Sequence, residues 1–307
     1  MASTTQKALL KAAEMAITYV NKFPDTLDDE GKQEVKSVLT SIKKLKKELL
    51  KIPTVKVGDL SSKSVHKLFG LTLDDTEPFD WQKAAFEGFS MYIEKGSQEM
   101  QHDGLDWTLK AYEKTYKRAP WNEPVARTRL DDALLLTTTF ILGAYGKPGT
   151  VGVNLQFETS LTWTTNKKRV QGLADYTLFY DDPSKNASNL LVIEAKRRDE
   201  FNRGPAELLA YMAMVVNARL IAGDGENAGV FGLLSDGYTF HFYRLSCKMR
   251  YTVHILLWDM GVTYQCGIKG LLSYIILEAV NMAAESRKKV RHPSDLSMSP
   301  VESMEVD

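Results

Sequence analysis

The sequence has little of several residue types that carry common functional chemistry. Its two cysteines, Cys247 and Cys266, cannot form a disulfide framework and do not stand at metal-ligand spacing. Its five histidines do not pair at ligand spacing, which disfavours a histidine-based metal site. No serine stands in the arrangement of a hydrolase triad, and no glycine-rich turn opens a helix as in dinucleotide-binding proteins. The chemistry of this protein must therefore come from other residues.

The sequence also lacks a charge excess and a long apolar run. Lys+Arg and Asp+Glu number 39 each, so any site for a polyanion has to be local. The apolar N-terminal stretch is interrupted by Lys7, Lys11 and Glu14, unlike a signal peptide, and no run reaches the roughly eighteen apolar residues of a membrane span. We expect an intracellular protein without a membrane partner. The basic run at 287–291 is either a nuclear-localisation patch or the end of a helix, so the expected compartment is cytoplasmic or nuclear.

The N-terminal third has helical periodicity. Apolar residues between 35 and 52 recur at alternating intervals of three and four, and those between 9 and 20 repeat in a similar way. This pattern predicts an antiparallel helical pair over residues 4–52, within a helical region that extends to residue 118. The apolar seam is explained either by packing inside the pair or by contact with a second copy or another protein. At the other end, residues 291–307 are polar and are predicted to be disordered.

Residues 119–290 have the mixture of strand and helix patterns that is typical of an α/β domain. Strand patterns occur in "VGVNLQFETSLTWTT", "GLADYTLFYDD" and "NLLVIEAKRR", and a strong helical pattern follows in "GPAELLAYMAMVVNARLIAG". Two further strands and a final helix at about 268–289 complete the series. We predict a mixed sheet flanked by helices.

The third strand ends in charged residues. It is apolar on both parities, which is typical of a central strand covered on both faces, yet Glu194 and Lys196 project to the same side at its end. Asp175 is predicted at the beginning of the preceding strand, and a hairpin connection would bring it beside them. A simple ion pair would explain Glu194 and Lys196, but two neighbouring carboxylates are more typical of a Mg²⁺ site.

The pattern of Asp175 followed by Glu194-Ala195-Lys196 resembles the active-site signature of the PD-(D/E)XK nuclease superfamily. "GLADYTLFYDD…LLVIEAKRR" is especially similar to the nuclease domain of the motor subunit in type I restriction systems. The resemblance covers about residues 120–245 and implies a restriction-endonuclease-like fold.

Two flanking elements extend this resemblance. The strand before Asp175 carries Glu158 in "LQFETS". In related nucleases the helix after the motif carries Q-x-x-x-Y, and "GPAELLAYMA" supplies Glu207 and Tyr211 at that spacing, with Glu in place of Gln.

The resemblance implies hydrolysis of phosphodiester bonds in nucleic acid, with DNA as the expected substrate and Mg²⁺, or Mn²⁺ in its place, as cofactor. The implied metal ligands are Asp175, Glu194, the backbone carbonyl of Ala195 and Glu158, and Lys196 would position the attacking water. Glu123 or Asp131, on the helix before the strands, could instead supply the first acidic residue of the pattern.

Basic residues near the motif are candidates for contacts with backbone phosphates. They are Lys167, Lys168, Arg169, Arg197, Arg198 and Arg203. A solvated basic surface would have the same composition.

Two functions remain open from the sequence. The first is a Mg²⁺-dependent nuclease. The second is a nuclease-like fold used as a protein- or DNA-binding effector module with weak or no catalysis, which the Glu at 207 and the N-terminal seam favour.

Overall fold

The structure, a computed structural model, describes most of the chain after residue 51 and scattered positions between 11 and 44. The continuous described ranges are 52–75, 79–96, 102–116, 122–145, 152–165, 168–180, 189–197 and 200–291. The chain forms two compact units. The smaller consists of Met1–Asp59 with Thr162–Gly172, and the larger of Leu60–Leu161 with Leu173–Asp307.

In the described residues, three consecutive helices precede the first long strands of the sheet, and a single α-helix separates its two groups of three strands. The helices are α1 (Ser62–Phe69), α2 (Trp81–Gly96), α3 (His102–Tyr116), α4 (Glu123–Tyr145), α5 (Gly204–Ala222) and α6 (Val262–Arg291). The strands are β1 (Thr54–Lys56), β2 (Thr72–Leu73), β3 (Asn154–Thr164), β4 (Arg169–Phe179), β5 (Asn189–Ala195), β6 (Val230–Ser235), β7 (Thr239–Leu245) and β8 (Arg250–Leu257).

The larger unit is built on a mixed sheet. β5 lies between β4, which is antiparallel to it, and β6, which is parallel to it. β6, β7 and β8 continue as antiparallel neighbours, β2 pairs in parallel with the start of β8, and β3 pairs with β4. This mixed sheet with flanking helices confirms the predicted α/β class.

Both faces of β5 are covered, as its two apolar parities predicted. Ile193 and Ala195 belong to a core cluster that also contains residues of α2, α3, α4 and α6. On the other side α5 packs against β5 and β6, and it is apolar nearly all round, as expected of a helix enclosed by its neighbours. A charged residue at the end of β5 is therefore held between two packed layers.

Helices α2 and α6 approach each other with backbone against backbone. Gly88 and Gly270 are both buried where these helices meet. A Cβ on Gly88 would lie 2.0 Å from the carbonyl oxygen of Gly270, and a Cβ on Gly270 would lie 2.1 Å from that of Ala85. Only glycine permits this separation.

In the smaller unit, β1 pairs in parallel with residues 169–171 of β4. The N–H of Thr165 donates to the carbonyl of Lys168 across the turn that joins β3 to β4. The described positions between 11 and 18 and between 33 and 44 are helical, as predicted. Much of the predicted seam, including Val35 and Leu45, lies outside the described residues. The first residue of the predicted disordered tail, Arg291, is the last residue of a helix, and the rest of that tail lies outside the described residues.

Three predicted boundaries differ from the structure. β4 begins at Arg169, so Asp175 lies inside the strand and not at its beginning; β1 and β3 both pair with β4 and account for its length. The stretch predicted as one strand after α5 forms two, β6 and β7, because a turn at 236–238 separates them. The last helix begins at Val262, earlier than predicted.

Two helices are long and apolar enough to cross a membrane by length and composition alone, Gly204–Ala222 and Val262–Ala284. In the most apolar 18-residue stretch of each helix, 61% and 56% of the residues, respectively, are buried inside the protein. That is the behaviour of core helices, and it is compatible with the expected intracellular location.

Candidate active site

Asp175 and Glu194 lie beside each other on antiparallel strands. The pairing of Tyr176 with Ile193 brings Asp175 opposite Glu194, and Oδ2 of Asp175 accepts a hydrogen bond from the backbone N–H of Ala195 at 2.7 Å. Both carboxylates are buried, with 8% and 3% of their residue surfaces exposed. The predicted juxtaposition of these two residues is confirmed.

Arg127 of α4 provides the counter-charge to Asp175. Its Nη2 donates to Oδ1 of Asp175, and its Nε donates to Oε1 of Glu123 at 3.0 Å. Glu123 and Arg127 are one helical turn apart, so their side chains lie on the same face of α4. The two oxygens of Asp175 therefore have different partners, a backbone N–H inside the sheet and a guanidinium from the helix.

Lys196 is shared by two carboxylates. Its Nζ lies 2.7 Å from Oε1 of Glu194 and 2.9 Å from Oε2 of Glu207. Glu207 comes from the first turn of α5, which covers the sheet face to which Glu194 points. Lys196 itself follows β5, and its backbone N–H donates to the carbonyl of Ser235 at the end of β6. We call Asp175, Glu194, Lys196, Glu207, Arg127 and Glu123 the charged cluster.

Burial and mutual repulsion shift the pKa values in the charged cluster. Burial, and next the charge of Asp175, raise the pKa of Glu194 to about 8. Burial also raises the pKa of Asp175, against the opposing effects of the Ala195 N–H and of Arg127. Burial tends to lower the pKa of Lys196, but its ion pairs with Glu194 and Glu207 outweigh burial and raise it. Lys196 is therefore held as a cation.

The charged cluster has more acids than bases. With every carboxyl group ionised, its four carboxylates and two cations leave a formal charge of −2. Among the described residues, the buried Oε2 of Glu194 has no hydrogen-bond partner, and an unpartnered buried carboxylate oxygen is costly. A carboxylate oxygen beside a second carboxylate is a suitable donor for a hard divalent cation, so Glu194 and Asp175 fit such an ion chemically.

A larger protein ligand set is absent from what the structure describes. Within the described ranges, no group of three or more His, Cys, Asp or Glu side chains could hold a metal ion. A cation here would depend on Asp175, Glu194, backbone oxygen, water and substrate. Mg²⁺ is commonly bound in that way, by one or two carboxylates together with waters and phosphate oxygens.

The other predicted site residues have different positions. Tyr211 is buried beside Glu194 and Glu207, but its hydroxyl donates to the carbonyl of Leu173 at 3.0 Å. Glu158 is exposed on β3, with a φ of 50°. Asp131 lies further along α4, near Tyr176. Of these, Tyr211 lies against the charged cluster, whereas the hydrogen bonds and ion pairs of the described cluster residues do not include Glu158.

The basic residues do not form a described phosphate-binding patch. Lys168 is exposed in the turn between β3 and β4, whereas Arg169 has 3% of its surface exposed. Arg197 pairs with Glu200 at 2.7 Å, and Arg203 is exposed just before α5. Lys167 and Arg198 lie outside the described residues. Because burial withdraws a guanidinium from solvent, Arg169 is poorly suited to the predicted phosphate contact.

Arg127 was not predicted from the sequence. The signal available was its spacing from Glu123, an Arg four residues after a Glu in "EPVAR". That spacing is common on helix surfaces, and only the packing of α4 beside β4 distinguishes this instance.

Comparison of the sequence with protein-family models and with curated proteins finds no match. The resemblance to PD-(D/E)XK nucleases therefore depends on the motif residues themselves. Their arrangement in space is the physical observation that bears on function.

Proposed function

We propose that this protein is a divalent-cation-dependent nuclease that hydrolyses phosphodiester bonds, with DNA as its substrate. The observation that carries the proposal is the pair of buried carboxylates, Asp175 and Glu194, with an unpartnered oxygen on Glu194 and an ammonium group beside it. Acidic strand residues next to a lysine are the arrangement that the PD-(D/E)XK signature requires.

The topology supports a restriction-endonuclease-like fold. β4 carries Asp175 and runs antiparallel to β5, which ends in Glu194 and Ala195. The next helix, α5, covers the same face and contributes Glu207 and Tyr211. This succession matches the order of elements on which the resemblance was based.

Asp175 and Glu194 would hold Mg²⁺ or Mn²⁺, with the backbone carbonyl of Ala195 as the further ligand implied by the family. When bound, the cation would lower the pKa of a water molecule and neutralise charge on the phosphate. Lys196 would orient that water through an ammonium group that two carboxylates keep in place. Tyr211 anchors α5 to β4 through Leu173 and so keeps Glu207 near Lys196.

Cleavage assays with the full chain test this proposal. Plasmid, linear and single-stranded DNA and RNA are incubated with Mg²⁺, Mn²⁺ or chelator. We expect cation-dependent cleavage that falls by about a hundredfold or more in Asp175→Asn, Glu194→Gln and Lys196→Ala. Glu200→Gln, four residues beyond the motif, is the matched control and retains activity. Cleavage that persists in all three cluster variants would refute the assignment of the site.

A second function is favoured by the hydrogen bonds and ion pairs that the residues of the charged cluster already make. Both oxygens of Asp175 accept hydrogen bonds, and Lys196 makes two ion pairs, so the charged cluster also resembles a structural network. In this case the fold is a binding module for DNA or protein. Absence of cleavage and of calorimetric cation binding, together with DNA binding in chelator measured by fluorescence anisotropy, would support it.

A further inference from the structure

Arg127 lies at the entrance of the charged cluster. Its side chain is 36% exposed, compared with 10% for Asp175 and 4% for Glu194. It is held from two directions, by Asp175 on β4 and by Glu123 one turn earlier on α4. The guanidinium is thus a partly exposed partner of a buried carboxylate.

Arg127 occupies the one oxygen of Asp175 that can change partners. Oδ2 is bound to the Ala195 N–H inside the sheet, and releasing that bond would leave a buried backbone group unsatisfied. Oδ1 is bound to Arg127, whose other partner is a helix residue near solvent. Of the two oxygens, Oδ1 is therefore the one that a cation would take without disturbing the sheet, and Arg127 holds it.

Arg127 and Lys196 differ in how firmly they are held. The Lys196 ammonium is 16% exposed and lies between two carboxylates, so its release would leave buried charge behind. Arg127 is more exposed, and exposed ion pairs contribute little to stability because water and salt compete with them. Of the two cations, Arg127 is the one that can be displaced.

We propose that Arg127 is a built-in counter-cation that competes with the divalent cation for Oδ1 of Asp175. In the cation-free protein it neutralises Asp175, and binding of Mg²⁺ or Mn²⁺ requires its release towards Glu123 and solvent. This inference rests on the proposed cation site, and it assigns to that site a residue that lowers its affinity for the cation.

The experiment measures cation binding to the full chain by titration calorimetry with MgCl₂ and MnCl₂. Arg127→Gln removes the competing charge, and Arg197→Gln is the matched control, because Arg197 is 41% exposed and pairs with Glu200 outside the charged cluster. We expect Arg127→Gln to bind the cation about tenfold more tightly than wild type, and Arg197→Gln to stay within about twofold. The comparison with Arg197→Gln removes the general effect of losing one positive charge.

Each outcome decides a different point. Equal affinity of wild type and Arg127→Gln, or weaker binding by the variant, overturns the inference while the cation site stands. Absence of binding to both proteins overturns the cation site and the inference together. If Arg127→Gln does not fold, the Nη–H nuclear magnetic resonance signal of Arg127, which reports the bond to Asp175 and is assigned with Arg127→Lys, gives the answer in wild type. The signal must shift during the cation titration, and an unchanged signal at saturation refutes the competition.

Discussion

The contact between Gly88 and Gly270 makes a specific prediction about stability. In the variant Gly88→Ala, the new methyl group would lie 2.0 Å from the carbonyl oxygen of Gly270 and 2.8 Å from the backbone nitrogen of Tyr274. Ordinary van der Waals contact begins at 3.4 Å, so α2 and α6 would have to separate by about 1.4 Å. Both colliding groups are backbone atoms of α6, so no side-chain rotation can relieve the overlap.

The magnitude follows from two opposing effects. Overpacking in a core costs about 1–3 kcal/mol, and we take the upper value because the groups that collide are backbone. Replacing Gly by Ala inside a helix stabilises the folded state by about 1 kcal/mol, because Ala has the higher helix propensity. We therefore expect Gly88→Ala to lower the free energy of unfolding by about 2 kcal/mol.

Urea denaturation followed by circular dichroism measures this change. Gly143→Ala is the matched control, since Gly143 is an exposed glycine of α4 and no atom of the described residues lies within 4 Å of its added Cβ. The free energy of unfolding of the control should rise by about 0.5–1 kcal/mol. If Gly88→Ala is as stable as wild type or more stable, the close backbone approach of the two helices is refuted.

Two further predictions concern the charged cluster and the titration of a buried tyrosine. Lys196→Ala should destabilise the protein by about 3 kcal/mol, because Glu194 and Glu207 are then left without their shared cation. Glu207→Gln keeps the ion pair between Lys196 and Glu194 and should destabilise the protein less. Urea denaturation of the two variants measures the difference. Burial, and next the neighbouring Tyr251, raise the pKa of Tyr243 from 10.0 to about 12. The folded protein then holds the phenolic proton that the unfolded chain loses, so stability falls as pH rises from 10 to 12. Tyr243→Phe should lose less stability over that range, and equal slopes for the two proteins would contradict the shift.

Local patterns were enough to predict the centre of the sheet. The continuous apolar run in "NLLVIEAKRR" indicated a strand covered on both faces, and the hairpin rule placed Asp175 beside Glu194. The turn at Asp236 and Gly237, which divides β6 from β7, was missed although Asp-Gly between apolar runs is a hairpin signal. The error there was one of interpretation, since the information was present in neighbouring residues.

Other features depended on how distant elements pack. The sequence by itself determined the α/β class, the central position of β5 and the meeting of Asp175 with Glu194, because each follows from the side-chain period of a strand and a short connection. Only the tertiary structure decided that Arg127 pairs with Asp175, that Lys196 is shared with Glu207, and that Oε2 of Glu194 has no partner in the part of the chain that the structure describes. These contacts depend on the rotation and distance of α4 and α5 relative to the sheet. Side-chain packing across the core sets both quantities, and the local periodicity of the sequence does not encode them.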